Sequence, residues 1–133
     1  MTIELTYLTL TLILAASMWI PYIVGVNMHP QTGIDDFERP PPHAGFPPWV
    51  HRSLRAHLNL IETAMPFGVL ILVAHVQQVS TPLTVWAAAA FFWLRLIHAA
   101  GMVSGLARFP LRPIIFTLSW LCTLTIALQL LLA

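Results

Sequence analysis

Four apolar runs, each long enough to cross a lipid bilayer, leave this chain few folds to choose from. About 20 helical residues traverse the hydrocarbon, and the runs occupy residues 3–26, 50–77, 83–106 and 111–133. The first is broken only by threonines, Ser17, Pro21 and Gly25. It is too long for the apolar core of a signal peptide and carries Glu4 rather than positive charge at its start, so it reads as a retained helix. Composition agrees: 58% of the 133 residues are hydrophobic and 8% charged, a balance foreign to soluble domains. The expected fold is all-α, a single four-span membrane domain over residues 1–133 with the helices bundled.

The connections differ in kind. Residues 27–49 hold Asp35, Asp36, Glu38 and Arg39, then Pro40, Pro41 and Pro42, then Pro47 and Pro48. So many prolines exclude helix and predict an ordered or extended loop, of a length often used for lids. Val79 to Pro82 is a tight turn with Pro82 near the first position of the next helix. Residues 107–113, with Arg108, Pro110, Arg112 and Pro113, form another. There are six arginines and no lysine. Arg39, Arg52, Arg55, Arg108 and Arg112 all flank the first and third connections, which the positive-inside rule places in the cytoplasm, with both termini outside. The short chain and bare tails suggest a bacterial inner membrane. A net charge of +1 excludes a nucleic-acid partner. A lone Cys122 excludes an internal disulfide and a thiolate metal cluster.

Charge inside a span is expensive and usually functional. It concentrates where the second helix begins, in Arg52-Ser-Leu-Arg55-Ala-His57-Leu-Asn59-Leu-Ile-Glu62, followed by Pro66. At about 100° per residue, Arg52, Arg55, Asn59 and Glu62 share an arc of about 80°. Pro66 leaves the Glu62 carbonyl without its helical partner, so a bend is expected there. In the third helix, Arg95, His98 and Met102 share a face, and Ala87 to Ala90 permit close helix approach. Glu62 and Arg95 lie at a similar depth, about 12 residues or ~18 Å from the cytoplasmic end. Each alone in hydrocarbon costs several kcal/mol, which predicts that they pair. Pairing leaves a surplus: Arg52, Arg55, Arg95, Arg108 and Arg112 against Glu62. Such an excess suits an anionic guest with more than one acidic group, to which His57 and Asn59 would add neutral hydrogen bonds and for which Glu62 would take an ammonium.

The pattern Arg52-x-x-Arg55-Ala-His57-x-Asn59-x-x-Glu62-x-x-x-Pro66-Phe67 resembles the second-helix signature of the MAPEG family, the membrane-associated proteins of eicosanoid and glutathione metabolism, which include the microsomal glutathione transferases. Arg95-Leu-Ile-His98 resembles the family's signature in the third helix, and the likeness extends to the whole four-helix layout. It implies a homotrimer of four-helix bundles holding glutathione as co-substrate near the cytoplasmic side, between subunits. By that likeness Arg55, Asn59 and Glu62 hold glutathione's polar groups and Arg95 joins from the third helix; Arg52, His57 and His98 are grouped with them as binding residues. A lipophilic electrophile would arrive from the bilayer lipids and be conjugated or reduced. The chain departs from the family at Val26-Asn27-Met28-His29, where an arginine is common, at Met102, where a tyrosine is common, and at Thr63, tyrosine in some members. The catalytic, thiol-activating role then falls to Arg108 or Arg112.

Six histidines raise the question of metal or haem. There is no His-Glu-x-x-His pattern and no thiolate, so no metal is expected; His29, His43 and His51 read as solvated surface, and His57 and His98 as hydrogen-bonded helix contacts. Trp19, Trp49, Trp86 and Trp120 read as interfacial anchors, and Trp93, nearer mid-helix, as packed. The alternative function is a membrane protein that binds a lipid or thiol, or serves as a subunit, without chemistry. A small transporter using Glu62 and Arg95 is the third reading.

Overall fold

A computed structural model describes residues 1–33 and 42–133. Asp35, Asp36, Glu38 and Arg39 of the first loop lie outside the described residues. Helices α1 (Ile3–Ser17), α2 (Trp19–Met28), α3 (Pro48–Val76), α4 (Pro82–Ser104) and α5 (Leu111–Leu132) make up the rest, with a 3-10 turn at His43–Gly45. Four helical segments are long and apolar enough to cross a membrane, α1 and α2 counting as one over Ile3–Met28.

The first run, expected as one helix, is divided at Met18. Pro21 has no N–H to offer the Ser17 carbonyl, so the ladder breaks. The backbone at Met18 stays right-handed helical (φ −70°, ψ −10°), and the span continues through the break. Local chemistry sets the other boundaries. Thr2 caps α1, its Oγ1 accepting from the Leu5 N–H. Pro48 opens α3 and Pro82 opens α4, where a missing N–H costs nothing. Thr81 and Thr84 form a reciprocal capping box at the start of α4. Gly105, in the left-handed region at φ 84°, ends α4, a conformation that glycine adopts without a Cβ clash.

Helix α4 packs against α1, α3 and α5, and α3 against α1, α2, α4 and α5. The core has two halves. One is built of small side chains, with Ala15, Ala56, Ala64, Ala99 and Ala107 around Leu60 and Met102. The other holds Leu8, Ile71, Ala88 and Ile126 around Phe67 and Phe91, whose rings stack with centroids 3.8 Å apart. Small residues let the helices approach until dispersion contacts form, the main attraction available in lipid. At Gly25 a Cβ would sit 2.5 Å from Val50 Cγ2, so α2 reaches the start of α3 only because that position is bare.

The outside of the bundle is apolar: Leu12, Ile13, Val69, Leu72, Trp86, Leu118 and Leu128 are exposed, as lipid-facing side chains must be. Trp93 belongs with them; it was expected to pack and is 53% exposed, because α4 turns Phe92 rather than its neighbour inward. His29 and His51 are half-buried rather than solvated. His29 stands edge-on to Trp49, and His43 edge-on to Tyr22 and His51, so these rings brace the loop against α2 and α3.

Both termini and the turn after α3 share one end of the bundle. Ser80 donates to Glu4, whose carboxylate also lies 2.9 Å from Thr84 Oγ1, and Thr81 Oγ1 donates to Gln129 Oε1 at 3.0 Å. The arginine-bearing turn Ala107–Pro110 lies at the other end, beside the start of α3.

Candidate functional site

Three helices meet at one guanidinium. The inner face of α4 runs through Ala88, Phe91, Arg95, His98 and Met102, all buried, at the three- and four-residue steps that keep one side of a helix inward. Arg95 is 1% exposed and His98 2%. Arg95 Nη2 donates to Asn59 Oδ1 on α3. Its Nη1 lies 3.5 Å from Ser119 Oγ on α5, and its guanidinium carbon stands 6.0 Å from the centroid of the Phe116 ring. Among the described residues Arg95 Nε has no partner, nor has His98 Nδ1.

Among the described residues every hydrogen-bond partner of Arg95 is neutral. The ion pair expected from Glu62 is therefore absent, and the reason is angular. With Arg55 as reference, at about 100° per residue, Asn59 lies about 40° and Arg52 about 60° to one side, while Glu62 lies about 20° to the other. The buried residues Ala56, Leu60 and Phe67 are further round on the Asn59 side. The polar arc thus straddles the edge of the packed face. Arg52 and Asn59 turn inward and are half-buried, whereas Arg55 and Glu62 are exposed on the outside of α3.

Beside Arg95 a cleft of about 490 Å³ opens between α3, α4 and α5, lined by Asn59, His98, Phe109, Arg112, Phe116 and Thr117 among others. Arg112, in the first turn of α5, is half-buried. The structure so gathers Asn59, Arg95, His98 and Arg112 in one place. Arg52 serves differently: its Nε donates at 2.9 Å to the Met102 carbonyl, which also accepts from the Gly105 N–H, and so places a cation at the C-terminal, negative end of α4. Its terminal nitrogen lies 3.0 Å from where a Gly105 Cβ would be. Arg108 is exposed, with Nε 3.4 Å from the Gly105 carbonyl. His57 is half-buried and its Nδ1 is enclosed without a partner among the described residues.

Ser119 and Phe116 are contacts of Arg95 that sequence reasoning missed. Ser119 did leave a signal: with Thr123 it interrupts the aliphatic run of α5 on the face shared by Ile115 and Ile126, all buried. Phe116 left none.

Chemically, this is a cleft open at one side and walled by the Arg112 cation; Arg95 stands behind its Asn59 wall and meets no carboxylate among the described residues. Phe109 and Phe116 supply an apolar wall. The cleft is suited to an anion with an apolar or polarisable portion. No curated protein matches the chain. The model of the MAPEG family matches residues 6–132, nearly the whole length and including every helix, and the chain belongs to the MAPEG family.

Proposed function

We propose that the cleft beside Arg95 binds glutathione or a similar anionic thiol and transfers it to lipophilic electrophiles entering from the bilayer. The observation that carries this reading is the buried Arg95, held by neutral partners next to an open cavity that Arg112 lines. A buried guanidinium without a counter-charge costs several kcal/mol, and a guest carboxylate or thiolate supplies what none of the described residues provides. Arg112, which reaches the cleft, is the better candidate for the thiol-activating cation than Arg108, which is exposed in the turn. Positive charge beside the sulfur favours the thiolate, the nucleophilic form. The thiolate forms the new S–C bond, its proton leaves to solvent, and the electrophile's displaced electron pair departs with its leaving group or is protonated.

The outer face of α3 supports assembly into a homotrimer. Arg55, Leu58, Glu62, Met65, Val69, Leu72 and Val76 are all exposed and recur at alternating steps of three and four residues, the spacing of a helix–helix seam. Two charges on a lipid-facing surface would cost about 2.5–3.5 kcal/mol each near mid-membrane. Facing a second copy, Arg55 and Glu62 instead become available to a ligand held between subunits. By the positive-inside rule the cleft faces the cytoplasm.

Calorimetric titration of the detergent-purified protein with glutathione tests the proposal. Saturable binding that disappears in Arg95→Met and weakens in Arg55→Ala and Glu62→Gln is the expected result. Absence of binding to the intact chain would overturn it. Binding without turnover of any electrophile, and without thiolate absorbance in the near ultraviolet, would favour the non-catalytic reading.

A further inference from the structure

The opposite end of the bundle contains a second buried ionisable group. Glu4, in the first turn of α1, is 6% exposed. An acidic residue there is favourable to the helix dipole even when fully solvated, so the dipole does not explain the burial. Its Oε1 receives the Ser80 hydroxyl at 2.7 Å and lies 2.9 Å from Thr84 Oγ1. Thr84 has one hydroxyl proton, and the Thr81 carbonyl also lies 2.9 Å from that oxygen, so Glu4 receives at most a share of it. Among the described residues no cationic nitrogen lies within 4.0 Å of the carboxylate.

Glu4 lines a cavity of about 360 Å³ together with Thr2, Ile71, His75, Gln78 and Ser80. The cavity abuts the C-terminus of α3, where the helix dipole adds negative potential. Helix α3 ends with the Val79 N–H bonded to the Ala74 carbonyl and the Gln78 N–H to the His75 carbonyl, with Gln78 at φ 58°. That left-handed position is normally glycine's, yet here it carries a side chain with a carbonyl acceptor at the cavity wall.

We infer that this cavity binds a primary ammonium group, with Glu4 as its counter-ion and the oxygens of Ser80 and Gln78 as further acceptors for its N–H bonds. A single carboxylate matches one positive charge rather than the several acidic oxygens a divalent ion gathers. The cavity is about ten times the ~30 Å³ share of a water molecule, which suits an organic cation rather than a bare alkali ion. It opens where the apolar spans end, at the level of lipid headgroups. The ammonium can therefore come from an ethanolamine headgroup or from a soluble amine. The inference is independent of the proposal for the Arg95 cleft.

Native mass spectrometry of the full chain from detergent, with short-chain phosphatidylethanolamine, phosphatidylcholine or phosphatidylglycerol added, tests it. A parallel thermal-shift series uses ethanolamine hydrochloride against tetramethylammonium chloride at equal ionic strength. The expected result is selective retention of phosphatidylethanolamine. Stabilisation by ethanolamine as well would show that the free amine suffices; selectivity in the lipid series alone would assign the headgroup. Glu4→Gln keeps an acceptor for Ser80 and removes the charge, so selective binding should weaken about tenfold or more while the unliganded fold is kept. Gln78→Gly suits the left-handed backbone and removes one acceptor, giving a several-fold loss; it decides the matter if Glu4→Gln does not fold. No preference for a primary ammonium in either series, or a preference unchanged in both variants, overturns the inference.

Discussion

Replacing Asn59 by alanine isolates what holds Arg95. In the native chain Asn59 Oδ1 accepts from Arg95 Nη2, and the remaining hydrogen bond, to Ser119, is at the 3.5 Å limit. Hydrogen bonds to charged groups contribute about 1.5–3 kcal/mol, and stranding a buried charge adds to the loss. Asn59 also lines the cleft, so water can reach the freed guanidinium and recover part of this. The expected destabilisation is about 2 kcal/mol. Adding Arg95→Met to Asn59→Ala removes the stranded charge and keeps most of the volume, so the double variant should regain about 1–2 kcal/mol. Reversible denaturation in mixed micelles, followed by circular dichroism across the double-mutant cycle, measures both steps. If Asn59→Ala stays within about 0.5 kcal/mol of the native chain, or Arg95→Met worsens rather than rescues it, then Asn59 is not the partner that makes the buried arginine tolerable.

Other expectations follow from single contacts. Gly105→Ala forces a Cβ into the left-handed region and towards Arg52, and should lower stability by about 1–2 kcal/mol in the same denaturation assay. Met65→Arg places a third charge on the exposed seam of α3, and light scattering coupled to size exclusion should show a smaller particle than the native protein; an unchanged mass would refute α3 as the subunit contact. Arg112→Ala should cut turnover of a model electrophile with glutathione by about 100-fold or more, while Arg108→Ala leaves most activity, a contrast that steady-state kinetics of the two variants would reveal or reverse.

Some of the site was legible because hydropathy is local. A charged residue in an apolar run must turn inward or be covered, so Arg95 and His98 were recognisable as interior residues, and their spacing put them on one face with Met102. The failed Glu62–Arg95 pair shows where such reasoning stops. Depth along a helix follows from residue number and rise. Which edge of an 80° arc faces the partner follows from the rotation of α3 about its own axis, and that is fixed by how Ala56, Leu60 and Phe67 pack. Arg52 illustrates the same point: an arginine at a helix start reads as a ligand-binding cation, yet its Nε is taken by the carbonyl of Met102, 50 positions along the chain.

By itself, the sequence determined an all-helical chain of four apolar spans, the Pro82 signal that opens one of them, and an arginine-rich end opposite a bare one. These follow from what hydrocarbon demands of any segment immersed in it, segment by segment. Only the tertiary structure decided that Asn59, His98 and Arg112 share a cleft, with Arg95 bonded behind Asn59, while Arg55 and Glu62 face outward. It also decided that Glu4 is buried beneath the turn after α3, meeting Ser80 76 positions away. Such meetings depend on helix rotation and on which helices touch, and both are settled by the fit of small and aromatic side chains across the whole bundle.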